Sequence, residues 1–348
     1  MTGRYWRSCL LIWAAAAVQT ACAGTAGGAA GSPLPAPLLG PATPVRAGAD
    51  TLTLLRSGPA TFTQLRAVID AARLSVEVEV YELGKPQLTD ALVAAHSRGV
   101  TVTVVDDPSE QHSAGTAVRL RAAGIGVIDY PVRRLMIDHV KLLIADHAVA
   151  VVGGINWGVK SPRNHDYDVM IRGPAVTSLE RVFARDLATC GRSAVLPDVV
   201  ADPAVIVAST LPGIEIRPLV IGLIDAARRS LDVELFVLTD TGAVRAIEAA
   251  HSRGVAVRVL LDPSQRPSDP SFAALRDAGI AVRLYRSRGE RLHAKAAVAD
   301  ATTVLFGSAN WSGGGFARNH ELDVEVPRAP ALAAQMLDQM RLDWDASA

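Results

Sequence analysis

The sequence predicts a duplicated α/β protein: two copies of one domain, each with helices packed on a mostly parallel sheet. Two observations carry this. IDAARLSVEVEVYEL (69–83) returns as IDAARRSLDVELFVL (224–238), and ALVAAHSRGVTVTVVDDPSEQ (91–111) returns as AIEAAHSRGVAVRVLLDPSQR (246–266), both at an offset of 155 residues. Solenoid repeats are several times shorter, so this period marks a duplicated domain. Within each copy, helical and strand patterns alternate, the order that builds helices onto a sheet.

Taken in order, the chain opens with Arg4 and Arg7 ahead of the apolar run CLLIWAAAAV (9–18). The run is too short for a stable bilayer span and reads as an export signal over residues 1–23. Two processing routes fit Thr20-Ala21-Cys22-Ala23: Cys22 as the lipid-modified first residue of a bacterial lipoprotein, or Ala21 and Ala23 as the small-residue site of ordinary secretion. Neither leaves a transmembrane helix in the mature chain. Cys9 lies inside the signal, so Cys190 has no intramolecular disulfide partner unless Cys22 stays unmodified. Residues 24–48 are rich in Gly, Ala and Pro without periodicity and read as a flexible tether, with folded structure expected from about Asp50.

The first half, 49–195, follows. Val76, Val78 and Val80 alternate with glutamates in the two-residue period of a strand. A helix at 88–98 ends at Gly99, a left-handed cap, and VTVTVV (100–105) is short and β-branched. The apolar residues of 179–190, with Cys190, form a core-facing helix that closes this half. Residues 196–212 read as a linker and 213–348 as the second half. The 348 residues are 49% hydrophobic, enough for two cores. Lys+Arg and Asp+Glu both total 35, so the chain lacks the net positive charge usual in nucleic-acid-binding proteins.

The densest chemistry lies in IDHVKLLIADHAVAVVGGINWG (137–158) and RLHAKAAVADATTVLFGSANWS (291–312). Aligned, they give His139-x-Lys141-x4-Asp146-x6-Gly153-Gly154-x-Asn156 and His293-x-Lys295-x4-Asp300-x6-Gly307-Ser308-x-Asn310. Each is a hairpin of two short strands turning at Asp146-His147 or Asp300-Ala301. Residues two apart on a strand share a side, so His and Lys project together. Asp146 and Asp300, at an odd offset in the turn, hold the hairpin through backbone or Lys/Arg hydrogen bonds.

The paired HxKxxxxD motifs, each followed by a GSxN-type turn, resemble the phospholipase D superfamily, and the likeness covers nearly all the chain after the tether. It implies two α/β/α halves facing each other about a pseudo-two-fold axis, with one active site at the seam where both histidines serve one phosphate. On that analogy His139 is the nucleophile that forms a phosphohistidine, and His293 is the general acid and then base; the reverse order satisfies the same chemistry. Lys141 and Lys295 neutralise the phosphoryl oxygens, and Asn156, Asn310 and the Ser308 hydroxyl complete the donor ring. No metal or other cofactor is required. Glu321, in RNHELDV (318–324), matches the family glutamate that orients a histidine, and Asp166, in RNHDYDV (163–169), is its counterpart. The first copy departs from the pattern with Gly154 opposite Ser308 and Asp166 opposite Glu321, so the two histidines are not equivalent.

The implied activity is that of a secreted or membrane-anchored phospholipase D, a monomer acting on phospholipid at a membrane surface, which hydrolyses a phosphatidyl ester or transfers the phosphatidyl group to an alcohol. A phosphatidyltransferase similar to cardiolipin synthase lies close to this reading, although the mature chain shows no transmembrane segment. A metal-independent nuclease is the alternative on the same scaffold; no interleaving of aromatics with Lys/Arg marks a single-strand platform. A non-catalytic surface-binding protein has no need of two intact motifs. His96 and His251 suit helix C-termini, His112 and His147 suit a loop and a turn, and Trp157 and Trp311 suit packing. His165 and His320 adjoin the orienting acids, where a structural role is favoured over contact with substrate. Arg133, Arg134, Arg286, Arg288 and Arg291 offer either an anion-attracting cluster or a solvated face.

Overall fold

The computed structural model describes residues 40–133, 136–201, 203–211, 213–286 and 289–347. The export signal, Cys22, most of the tether, Arg134 and Arg288 lie outside the described residues. The first half runs β1 (Val45–Ala47), β2 (Asp50–Leu55), α1 (Gly58–Ala71), β3 (Ser75–Val80), α2 (Pro86–Ser97), β4 (Thr101–Asp106), α3 (Ala114–Ala122), β5 (Gly126–Asp129), β6 (Lys141–Ala145), β7 (Val149–Gly153), β8 (Asn164–His165), β9 (Asp168–Arg172) and α4 (Ala175–Thr189). The second repeats it: β10 (Ile206–Ser209), α5 (Ile216–Ala226), β11 (Ser230–Leu235), α6 (Thr241–Ser252), β12 (Ala256–Leu261), α7 (Asp269–Asp277), β13 (Ala281–Leu284), β14 (Arg291–Leu292), β15 (Lys295–Ala299), β16 (Thr303–Gly307), α8 (Gly313–Ala317), β17 (Leu322–Val326) and α9 (Pro330–Ala346).

The duplicated α/β architecture holds. Helix starts follow local chemistry: the Ser57 hydroxyl accepts from Ala60 N at 3.2 Å to cap α1, and Asp240 caps α6 through Ala243 N at 2.8 Å. Gly99 takes the positive φ of 91° that ends α2. The sheets are ordered β1-β2-β9-β7-β6-β3-β4-β5 and β10-β17-β16-β15-β11-β12-β13. Parallel pairing is confined to β3-β4-β5 and β11-β12-β13; the other pairings within the two sheets are antiparallel. The sheets are therefore mixed, with antiparallel pairs in the majority rather than the mostly parallel sheets expected. Each HxK hairpin contributes two antiparallel strands in the middle of its sheet, and hairpin connections need no crossover helix.

Helices α1, α2 and α3 cover the outer face of the first sheet, and α5, α6, α7 and α8 that of the second. The inner faces, with α4 and α9, build one core common to both halves, which contains Leu142, Ile144, Phe183, Phe306, Val324 and Met336. Two boundaries move. Pro41 already bridges Leu55, and β1 pairs with β2, so ordered structure begins ahead of Asp50 inside the expected tether. The expected linker contains β10, which pairs antiparallel with β17 and forms the edge of the second sheet. Both are short edge strands, too brief for a periodic signal.

The hairpin turns put Asp146, His147, Asp300 and Ala301 at φ of 53–55°, the left-handed region of a type I′ turn. The Asp146 carboxylate accepts the backbone N–H groups of Arg73, Leu74 and Ser75 at 2.7–3.1 Å, and Asp300 does the same for Arg228, Arg229 and Ser230. These bonds tie each hairpin to the entry of the neighbouring strand. Partial burial works to raise both carboxyls, but the backbone donors outweigh it and hold them below their ordinary range. Their contribution to stability is therefore present above the unfolded pKa of about 3.9 and is lost as pH falls through the depressed folded values. Asp300→Ala is expected to cost about 1–2 kcal/mol in urea unfolding. Ala301→Gly is expected to add about 0.5–1 kcal/mol by relieving the left-handed alanine. A destabilised Ala301→Gly variant would contradict the strain at that turn.

Candidate active site

Each HxK segment enters its strand alongside the Arg-Asn-His segment of the opposite half. His139 N donates to His320 O at 2.7 Å and His320 N to Ile137 O at 2.8 Å, while His293 N donates to His165 O at 2.8 Å. The two-stranded β8/β14 ladder, pairing Asn164 with Arg291 and His165 with Leu292, continues this register. The acids that follow those histidines are thereby delivered across the seam.

Glu321, from the second half, accepts from His139 Nδ1 at 2.8 Å, and Asp166, from the first half, accepts from His293 Nδ1 at 2.7 Å. Each half thus orients the other's imidazole and leaves Nε2 as the nitrogen without a carboxylate. Both rings line one cavity of about 620 Å³, together with Asn156, Tyr81, Phe236 and Arg291. Lys141 and Lys295 are buried, and their ammonium groups donate to the carbonyls of His139 and His293. Each also lies over an aromatic ring: Lys141 Nζ is 5.4 Å from the centre of Tyr81 and Lys295 Nζ is 5.5 Å from that of Phe236.

Burial disfavours the charged forms of the site's imidazoles and amines. Burial pushes His293 down to about 3, reinforced by Lys295, whose Nζ lies 2.8 Å from its Nδ1, with Asp166 opposing. Burial also lowers His139, against the pull of Glu321. Burial pushes Lys141 down to about 7 and lowers Lys295, with Glu321 opposing the first shift and Asp166 the second. Glu321, although buried, is held below its ordinary range by His139 and Lys141. An entering anion would oppose these shifts by favouring the charged forms.

The two halves anchor their acids differently. Glu321 Oε2 accepts from the Ser308 hydroxyl at 2.6 Å and Oε1 from Asn319 Nδ2 at 3.0 Å. Ser308 also accepts from Leu322 N at 2.9 Å and is fully buried. It therefore positions Glu321, in place of the expected donation to phosphate. In the first half a Cβ on Gly154 would collide with the Asp166 carboxylate, so the shorter acid occupies the space that Ser308 fills in the other copy. Gly154 and Asp166 form one compensated pair, Ser308 and Glu321 the other. Gly153 and Gly307 are held to glycine in the same way by Asp168 and Asp323, which accept from Ile155 N and Ala309 N at 3.3 and 3.0 Å.

Asn156 and Asn310 stand half-buried beyond their hairpins, each with a side-chain oxygen that has no donor among the described residues; Asn156 lines the cavity. Trp157 and Trp311 are buried in the outer cores. Of the described arginines ahead of the motifs, Arg291 reaches the cavity, over the Phe236 ring at 5.8 Å, while Arg133 and Arg286 are exposed. His165 and His320 have no route to substrate, because both are buried against acids of the opposite half. Sequence reading missed those acids, Glu79, Asp186, Glu234 and Asp343, and missed Tyr81 and Phe236, whose rings flank the lysines. The signal that could have found the glutamates is their recurrence at 79 and 234, at the repeat offset, inside valine- and leucine-rich strands.

The sequence profile of the family described as "Cardiolipin synthase, PLD-like domain" matches residues 65–187 and 220–344. Cardiolipin synthase of Geobacillus kaustophilus is 28% identical over 79% of this chain and 62% of its own length. Cardiolipin synthase A of Pseudomonas putida is 28% identical over 77% of this chain and 63% of its own. This chain thus spans less than two thirds of the length of these relatives. In fold it is similar to the phosphatidylserine synthase of Haemophilus influenzae, with a TM-score of 0.68, 14% identity and coverage of 88% and 89% of the two chains. The chain belongs to the phospholipase D superfamily, as two PLD-like domains fused in tandem.

The paired compensation makes a reciprocal prediction. Gly154→Ser, which pushes Asp166 off His293, and Asp166→Glu, which lacks the serine hydroxyl that anchors Glu321 in the other copy, should each lower kcat on bis(p-nitrophenyl) phosphate by at least about tenfold. The double variant, which rebuilds the second half's arrangement, should recover most of the loss. Additive losses would sink the pairing.

Proposed function

We propose that this protein is a phosphodiesterase and transferase of the phospholipase D type, passing a phosphatidyl group through a covalent phosphohistidine to water or an alcohol. One observation carries the reading: two imidazoles line a single cavity, each oriented by a carboxylate from the opposite half. The names of the relatives support phosphatidyl transfer as the reaction class.

His139 Nε2 attacks phosphorus while the bond to the leaving oxygen breaks and His293 protonates that oxygen. The N-phosphoryl imidazolium that forms is cationic, and Glu321 carries the heavier anchoring, from Ser308 and Asn319, to stabilise it. His293, now neutral, takes the proton of water or an alcohol as that oxygen attacks phosphorus and releases His139. Lys141 and Lys295, with Asn156 and Asn310, stabilise the equatorial oxygens. Burial lowers His293, and the phosphodiester anion supplies the field that charges it. Once charged, it is a strong acid towards the leaving oxygen.

No helix of the described residues is long and apolar enough to cross a membrane. A phosphatidyl substrate is met at a lipid surface, and on this reading export, with lipid attachment at Cys22 or free secretion, brings the chain to one.

Three measurements test this reading. With phosphatidylglycerol or phosphatidylcholine vesicles, headgroup release is expected, and His139→Ala and His293→Ala should each lower it by about 10³-fold or more. Nucleotide release from single-stranded DNA with silent lipid would replace the reading by a nuclease. With a p-nitrophenyl ester, whose leaving group needs no acid, His293→Ala should keep a burst of nitrophenol and His139→Ala should lose it; the opposite pattern would exchange the roles. Calorimetry of inorganic phosphate binding near pH 7.5, in buffers of different ionisation enthalpy, should show net proton uptake, because the anion raises His293 and Lys141 from their lowered values.

A further inference from the structure

Behind the cavity the two halves exchange a second pair of histidines. His165 of the first half enters a pocket of Glu234, Asp343 and Tyr285 in the second, with Nε2 at 3.1 Å from Asp343 Oδ2 and 3.4 Å from Glu234 Oε2. His320 of the second half enters a pocket of Glu79, Asp186 and Tyr130 in the first, with Nε2 at 3.1 Å from Asp186 Oδ2 and 3.5 Å from Glu79 Oε1. None of these acids or histidines lines the catalytic cavity.

The duplication supplies its own comparison. Around His165, neutral donors engage both acids: Tyr167 OH donates to Glu234 Oε2 at 2.9 Å and Gln339 Nε2 to Asp343 Oδ2 at 2.8 Å. Around His320 both donors are gone. Leu322 stands at the repeat position of Tyr167, and Val182 stands four residues before Asp186, as Gln339 stands four before Asp343. A further acid, Asp138, is present where the other copy has Leu292. Among the described residues neither carboxylate oxygen of Glu79 has a hydrogen-bond donor, nor do Asp186 Oδ2 and Asp138 Oδ2, and all three acids are buried. Three buried carboxylates around one imidazole leave negative charge that the interior does not tolerate unmatched. The separations of 3.1 and 3.5 Å at His320 Nε2 match the edges of a tetrahedron, about 3.4 Å for bonds of roughly 2.0–2.2 Å; those at His165 are alike, so the pockets differ in the donors that already engage the acids and not in spacing.

We propose that Glu79, Asp186 and His320 bind one divalent transition-metal cation of the zinc type, which ties the two halves together, and that the His165 pocket binds none. One nitrogen and two carboxylate oxygens are a donor set that suits this ion. The ion is structural and takes no part in the phosphoryl steps.

The full chain, purified without chelator or metal-affinity resin, should carry about one such ion by elemental mass spectrometry. Chelator-stripped protein titrated with zinc should gain roughly 5 °C in melting temperature near saturation. Val182→Gln, which supplies the amide found in the other pocket, should fold and lose at least about tenfold in zinc affinity, whereas Glu234→Gln should leave the metal content unchanged. Metal-free protein whose melting is indifferent to zinc would overturn the proposal, as would a Val182→Gln variant that binds zinc as tightly as the parent, or loss of the ion in Glu234→Gln. The stripped and reloaded parent decides the matter even if a variant fails to fold, and these readouts stand whatever the substrate proves to be.

Discussion

Neither half of this chain can orient the imidazole of its own HxK motif. His139 depends on Glu321 and His293 on Asp166, each across the seam, and all four groups are buried. Removing either carboxylate would leave a buried ring N–H without its acceptor, a change that typically costs about 1–3 kcal/mol. The rest of the architecture serves this exchange. The β8/β14 ladder sets the register of the crossing segments, and the shared inner core built around α4 and α9 holds the sheets at the distance the crossing demands. The hairpin aspartates add a third layer by fixing each HxK strand to its neighbour.

Much of this was legible in the sequence because it is local or repeated. The His-x-Lys spacing on a strand, the aspartate in the turn and the long offset need no tertiary knowledge. The crossing did need it: Asp166 and Glu321 are visible as acids beyond each motif, but nothing along the chain says which histidine each one serves. Ser308 was misread because a hydroxyl after a glycine looks free until the carboxylate above it is in place. Strand alternation placed the glutamates of β3 on a polar face, whereas helices cover the outer face of that sheet and the shared core covers the inner one, so Glu79 is buried. β1 and β10 escaped notice because a three- or four-residue edge strand has no period to detect.

Duplication explains the matched parts and makes the mismatches informative. Ser308 with Glu321 and Gly154 with Asp166 solve one problem twice, with the methylene lost from the acid matched by the side chain lost from its neighbour. The two deeper pockets, in contrast, keep the same histidine and acids and differ in what surrounds them. Comparison within one chain thus separates what the fold needs from what each half has specialised to do.

The cavity itself is lopsided. Its wall comes mainly from the first half, including Tyr81, Asn156, Val159, Lys160 and Ser161, with Phe236, Arg291 and His293 from the second. In the second half α8 stands where the first has only a short turn over Ser161–Arg163. For the reaction proposed above, a strictly two-fold receptor would admit an unsymmetrical diester either way round, so that half of all encounters presented the wrong oxygen for departure. A one-sided mouth removes that degeneracy, and a palindromic scaffold thereby acquires a direction of reading.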